Sequence, residues 1–244
     1  MKSIAIRHDA VKVCEERIVI DVDEGHRLDI SLLLDEQELA PLFCGAAWAG
    51  TLVWEAAELI SNYVLNELDV RTLRVVELGA GLGVPGMVAG ILGAPHVVLT
   101  EQPELVPLLR TNIRRNFSAS NVEAAVLSWG TEATTAFCAR YGAFDLVLCC
   151  DCIYEPLYGQ SWRALALSMD VLCAANPACR VLVSVERRHG DGIDAFLAFL
   201  PDATSLSATL HRRVPKPTKA LCDEGDVLEI YLIQHRPAPS HMIS

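Results

Sequence analysis

Glu77, Gly79, Gly81 and Gly83 occupy every second position of the stretch RVVELGAGLGVPG, residues 74–86, directly after the apolar run RVV. A strand that ends in an acid and passes into glycines brings one carboxylate and bare backbone to the same point. Glycine has no Cβ, so Gly79, Gly81 and Gly83 can take positive φ and let a ligand come close against the main chain. The N–H groups opening the following helix face the same crevice, at the carboxyl end of the first strand of an open α/β sheet. A nucleotide-like ligand suits that chemistry.

Two cofactor classes match the spacing. Gly81, Gly83 and Gly86 fit the GxGxxG pattern of dinucleotide sites, with Glu101 placed 20 residues after Gly81 as a ribose-binding acid. Glu77, Gly79, Gly81 and Gly83 equally fit the ExGxGxG pattern of S-adenosylmethionine sites. Register favours the second: strand character ends at Leu78, so the turn falls at Gly79, and Pro85 sits in the first helical turn, where its missing N–H is harmless. Charge agrees, since Glu77 would repel a pyrophosphate and attract a ligand carrying an ammonium and a sulfonium.

Further along, Glu101 closes the run HVVLTE and can accept hydrogen bonds from both hydroxyls of a ribose. Trp129, in LSWG after a third strand, offers an indole face for stacking on adenine; a core role is the other reading. The run FDLVLCC leads into Asp151-Cys152-Ile153-Tyr154, which sets a carboxylate and an aromatic beside the crevice. Asp151 can orient an acceptor amine for in-line transfer or cap a helix. Tyr154 can wall a channel and contact a cation. Glu186, in SVERR, either faces an acceptor pocket or pairs with Arg187 or Arg188 at the surface.

The elements that must position these residues alternate. Strands are predicted at 74–78, 96–100, 123–127, 144–150 and 180–185. Helices are predicted from Pro85 and at 103–117, 131–140, 159–173 and 193–200. Such alternation means a parallel sheet with helices on both faces. The runs 205–214 and 227–235 have no room for a crossover helix between them and must pair as an antiparallel hairpin at one edge. The expected fold is therefore α/β, a Rossmann-like seven-strand methyltransferase sheet of five parallel strands plus that C-terminal hairpin. A Thr-capped helix is expected over 51–68 and a short helix or loop over 35–42. SIAIR, RIVIDV and RLDISLLL predict a small N-terminal β extension, a hairpin or lid. The whole reads as a single domain, 1–244, with the extension over 1–45, a catalytic core over 46–236 and a tail over 237–244.

Composition narrows the partners. The chain has 244 residues, 52% of them hydrophobic, enough to bury a full core. A net charge of −11 disfavours extended nucleic-acid binding and suits a basic partner. MKSIAIRHDAVKV has no apolar leader core, so a reducing cytoplasm, with the nucleus as a second location, is expected for the nine cysteines. Cys149 and Cys152 form one CxxC with no second CxxC and no HxxxH, which reads as buried thiols and no metal. Residues 78–95 carry no charge, but their glycines and Pro85 break any membrane span, and no membrane role is expected.

VVELGAGLGVPG, TEQPELVPLLRTNIRRN, SWG, DLVLCCDCIYEPLYG and the upstream GTLVWEAAELISNY together resemble the eukaryotic methyltransferase-like lysine methyltransferases of the seven-strand superfamily, over roughly 48–185. The resemblance implies that S-adenosylmethionine is the cofactor and that Trp54 packs near it. It implies that Gly79, Ala80 and Gly81 form its loop, that Glu101 holds the ribose, and that Trp129 and Cys150 border the adenine and methionine sides. Asp151 and Tyr154 fill the DxxY motif of the acceptor channel. Ser128 departs from the family pattern, where many members have an acid before the Trp129 position. The implied activity is methyl transfer to lysine in a protein substrate by a monomer. Histidine, arginine or a small-molecule amine stays open as acceptor, as do a dinucleotide oxidoreductase and a non-catalytic binding module. The Asp/Asn-Pro-Pro-Tyr motif of base-amine enzymes is missing, because Cys152 and Ile153 replace both prolines.

Overall fold

The computed structural model describes residues 5–7, 17–32, 46–118, 121–216 and 227–236. The expectations for 35–42, for the hairpin connection and for the tail lie outside the described residues.

Three antiparallel strands come first: β1 (Ala5–Arg7), β2 (Arg17–Asp23) and β3 (His26–Ser31). In β2 the alternation buries Ile18, Ile20 and Val22 against the main core. Helix α1 (Glu55–Glu67) follows a 3-10 turn at Ala46–Thr51. The Thr cap expected at Thr51 is not formed; Thr51 closes the 3-10 turn, and Trp54 precedes the helix in extended conformation.

The alternating region then runs β4 (Arg74–Leu78), α2 (Val84–Ile91), β5 (His96–Glu101), α3 (Val106–Asn116), β6 (Val122–Val126), α4 (Thr131–Tyr141) and β7 (Leu146–Cys150). A short α5 (Glu155–Tyr158) leads to α6 (Trp162–Ala175), β8 (Arg180–Arg187), α7 (Ile193–Ala203), β9 (Leu206–Pro215) and β10 (Val227–His235). The sheet order is β6-β5-β4-β7-β8-β10-β9. Strands β4 to β8 pair in parallel, and β10 inserts antiparallel between β8 and β9. This is the seven-strand arrangement expected from the sequence.

Parallel strands covered on both faces carry continuous apolar runs. Val75, Val76 and Leu78 of β4 are fully buried, with Val75 in the core under α1 to α3 and Val76 and Leu78 in the core under α4, α6 and α7. Strand order reverses at β4, where the chain moves outward to β5 and later returns to β7. Ligand crevices form at such a switch point.

The N-terminal sheet is not a lid. Its docking uses two asparagines one helical turn apart on α3. Asn112 accepts from the Ser31 N–H (2.9 Å) and donates to the Ser31 carbonyl (3.2 Å); Asn116 does the same for Asp29 (2.7 and 2.9 Å). The side-chain amides thus serve as a neighbouring strand for β3. Asn112 is completely buried, so Asn112→Ala strands two backbone groups of Ser31. The expected loss is about 2–4 kcal/mol of stability, read from the denaturant midpoint at unchanged slope. A loss under about 0.5 kcal/mol would contradict this role.

Candidate active site

A cavity of about 540 Å³ opens outside the carboxyl ends of β4 and β7. Trp54, Glu77, Gly79, Ala80, Gly81, Glu101, Trp129 and Cys150, the cofactor residues named from the sequence, all line it, as does Asp151. Tyr154 is not among the lining residues, but Tyr158 is, one helical turn further on.

Glu77 is the penultimate residue of β4, and its carboxylate is buried under the start of α2, where the Gly86 N–H donates to Oε2 at 2.9 Å. Burial outweighs that bond and pushes its pKa up to about 8. A side chain at Gly86 would force its neighbours to shift, since a Cβ there would lie 2.1 Å from Leu99 Cδ2 and 2.7 Å from Glu77 Oε2. The loop itself is equally restricted. Gly79 has φ +61°, and a Cβ on it would meet Cys152 Sγ at 2.5 Å and Trp129 Cζ2 at 3.0 Å. Gly81 has φ +51° and faces the Gly50 carbonyl. Glu101 ends β5, and its carboxylate accepts from the backbone N–H groups of Gln102 and Gly81; burial raises its pKa to about 7. Where the family pattern has an acid, the Ser128 hydroxyl donates to Gln102 Oε1 at 3.3 Å.

Asp151 is the one non-glycine among the described residues with positive φ, at 50°. Its N–H donates to the Ser184 carbonyl of β8 (2.8 Å). The buried carboxylate takes the Glu186 N–H on Oδ1 (3.2 Å) and the Arg188 guanidinium on Oδ2 (2.6 Å). Capping is not its role: α5 begins at Glu155, after Tyr154. Strained backbone that is fixed by partners on the next strand is a mark of functional positions. Burial raises the Asp151 pKa and Arg188 opposes the rise.

Arg188 was not legible as a site residue. Its guanidinium carbon lies 5.5 Å from the ring centre of Trp54 and 4.9 Å from that of Tyr154, so two aromatic faces and a carboxylate hold one cation. Glu186 satisfies both of its sequence readings in part. It pairs with Arg188 (2.8 Å), but it does so buried, on the Asp151 side, and its other oxygen accepts from Lys216 Nζ (2.5 Å). These two cations hold its pKa below the usual value despite burial. Arg187 turns the other way, toward Asp191, Asp194 and Glu229.

The donor set suits S-adenosylmethionine. Glu77 would hold its cationic amino-acid end, Glu101 its ribose hydroxyls and Trp129 its adenine face, against main chain that Gly79 and Gly81 leave bare. When bound, the cofactor supplies an electrophilic methyl carbon on a sulfonium. Two thiols, Cys150 and Cys152, line this floor and Cys149 lies buried behind it; all three have raised pKa values, mainly by burial for Cys150, and are protonated at neutral pH. Among the described residues no group of His, Cys, Asp and Glu is placed to hold a metal, and no helix is long and apolar enough to cross a membrane.

Comparison with known proteins points the same way. The sequence model of a family described as lysine methyltransferase matches residues 38–200. The secreted RxLR effector protein 48 of Plasmopara viticola is 52% identical over 142 residues, 54% of this chain and 71% of that protein. The protein N-lysine methyltransferase METTL21A of Mus musculus is 33% identical over 138 residues, 53% of this chain and 60% of that protein's length. Magnesium protoporphyrin IX methyltransferase (ChlM) of Synechocystis PCC 6803, solved with bound SAM, shares the fold. Its TM-score is 0.51 at 13% identity, over 75% of this chain and 79% of that one.

A carboxyl at pKa about 8 is mostly protonated at pH 7, and a cationic ligand must drive its proton off. Cofactor affinity is therefore expected to rise with pH and level off above about 8. Calorimetry at pH 7 in two buffers of different ionisation enthalpy should show proton release on binding; net uptake would contradict the assignment. Because the folded pKa lies above the unfolded value, the free chain loses stability as pH rises from about 4.5 to about 8. Glu77→Gln should reduce that slope, leaving the part that Glu101 contributes up to about pH 7, while weakening cofactor binding at least about tenfold.

Proposed function

The chain belongs to the lysine methyltransferase family, and from that premise we propose that it moves a methyl group from S-adenosylmethionine to the side-chain amine of a lysine in a protein substrate. The observation that carries the proposal is the cation seat beside the cofactor cavity, where Trp54, Tyr154 and Asp151 already surround a guanidinium. A lysine entering beside Arg188 would meet the same kind of surroundings, ring faces for its apolar stem and a carboxylate for its polar tip.

Transfer needs a neutral nitrogen with its lone pair aimed at the methyl carbon. Two features of the chain lower the pKa of an arriving lysine. One is the dry setting, and the other is the positive charge of Arg188, which disfavours a second cation. Asp151 then accepts an N–H from the amine and turns the lone pair toward the cavity. The net charge of −11 favours encounter with a basic segment. A reducing compartment, cytosol or nucleus, is the setting that suits the free thiols of the described residues.

The pure chain, incubated with isotope-labelled cofactor and cell lysate, should place methyl-lysine on one or a few proteins by mass spectrometry. Label confined to histidine, arginine, nucleic acid or small molecules would refute the lysine assignment. Asp151→Asn should lower kcat about 100-fold, with cofactor affinity held within about threefold. Full turnover in that variant would remove Asp151 from the mechanism.

A further inference from the structure

The seven-strand sheet ends in β6 on one side and in β9 on the other. The two edges are built differently. The pairing of β9 with β10 shifts register between Ile230 and Tyr231, and β9 carries Arg212, Arg213 and Pro215, so a bulge, charge and proline all oppose further pairing there. Strand β6 has none of these devices. Its register with β5 runs unbroken from Val122 to Val126, and its single charge, Glu123, is tied back to His96 of β5 at 2.9 Å. The Asn121 carbonyl accepts from the Val97 N–H (2.7 Å) and the Leu127 N–H donates to the Glu101 carbonyl (3.1 Å), so the odd-numbered residues face β5. By strand alternation the N–H and C=O groups of Ala124 and Val126 point off the sheet.

A groove of about 640 Å³ lies along this edge. Helix α3 covers one face of β6 and α4 the other: Ile113 shares one core with Val122, and Phe137 shares the second with Ala125. The small side chains of Ala124, Ala133 and Ala136 leave the trough open, and Val126 beside them is 48% exposed. Arg110, Arg114 and Arg140 line it and are all exposed. Among the described residues none of the three is paired with a carboxylate; Arg114 reaches the Thr111 hydroxyl and Arg140 lies over the Tyr141 ring. In a chain of net charge −11 this is a local reversal of sign.

We propose that the β6 edge docks an extended, acidic segment of a partner protein, added to the sheet as a further strand outside β6. Main-chain bonds to Ala124 and Val126 hold such a segment, and the arginines select its charge. Their placement also sets where that charge falls. Both helices run back from the carboxyl end of the sheet, so Arg114 near the end of α3 and Arg140, the penultimate residue of α4, stand at the amino end of β6, with Arg110 one turn above. Acids of the segment gather at that end, and an apolar residue lies beside Val126 at the other. A nucleic acid would match the arginines, but its phosphates offer no donors to the outward carbonyls, whereas a strand offers donors and acceptors alike. A second copy of the chain would bring two sets of the same arginines to one seam, where like charges oppose each other.

The probe is a capped octapeptide of alternating glutamate and valine, titrated into the full chain beside a lysine and valine octapeptide and a single-stranded oligonucleotide. The acidic peptide should bind at least about tenfold more tightly than the basic one, the factor expected for charge-assisted hydrogen bonds. Arg114→Glu combined with Arg140→Glu should remove or reverse that preference. Amide exchange read by NMR gives the location: at a peptide concentration of about ten times Kd, the Ala124 and Val126 N–H groups should exchange about tenfold more slowly. Equal affinity for the two peptides, an unchanged preference in the double variant, or binding that leaves Ala124 and Val126 unprotected would each overturn the inference. So would tighter binding of the oligonucleotide. Protection of Ala124 and Val126 that grows with protein concentration in the absence of peptide would assign the edge to a second copy instead. None of these outcomes bears on methyl transfer, which the lysate labelling tests separately.

Discussion

A carboxylate with almost no water around it, Glu77, is the constraint on which the site is built. It lies one residue before the end of the central strand, where strand order reverses, and among the described residues one backbone N–H, from Gly86, meets it at hydrogen-bond distance. Burial at this position is unfavourable for the charged form, which is why its pKa is lifted to about 8. A cationic partner relieves that penalty. The fold thereby holds in its free state an acid that is best satisfied by the ammonium end of the cofactor. Gly86 follows from the same constraint, since a Cβ there would lie 2.7 Å from Glu77 Oε2, while Gly79 and Gly81 are restricted by Cys152, Trp129 and the Gly50 carbonyl.

The second half of the site repeats the logic with opposite emphasis. Asp151 and Glu186 are buried acids on neighbouring strands, but here the chain supplies its own cations, Arg188 and Lys216. The guanidinium of Arg188 holds Trp54, Tyr154 and Asp151 around one point, beside which an alkylamine would find ring faces and a carboxylate. The same guanidinium makes the seat unwelcoming to a second full charge. Methyl transfer needs such a setting, because only the uncharged amine is a nucleophile.

Much of this was legible in the sequence, and the reasons are physical. The ELGAGLG loop is read from residue types alone, since few side chains tolerate positive φ beside a ligand. Continuous apolar runs marked β4, β5 and β7 as doubly covered strands, and the lack of room for a crossover helix between 214 and 227 pointed to an antiparallel hairpin at the sheet edge; that β10 inserts between β8 and β9 appears only in the strand order. What the sequence did not show depends on contacts between distant segments. Arg188 reads as one of two ordinary arginines after Glu186, and only the register of β8 against the end of β7 turns it to Asp151. Lys216 meets Glu186 across β10. Asn112 and Asn116 look like polar residues on a surface helix until β3 arrives to use their amides. Thr51 looked like a cap by residue type, yet the chain tightens into a 3-10 turn and reaches Trp54 before the helix starts.

The most direct measurement is a crystal structure of the chain with S-adenosylhomocysteine. The expected result has the amino group of the ligand on Glu77, both ribose hydroxyls on Glu101, the adenine against Trp129 and the sulfur directed toward Asp151. A ligand bound with its amino group away from Glu77, or with its sulfur turned from Asp151, would contradict the account.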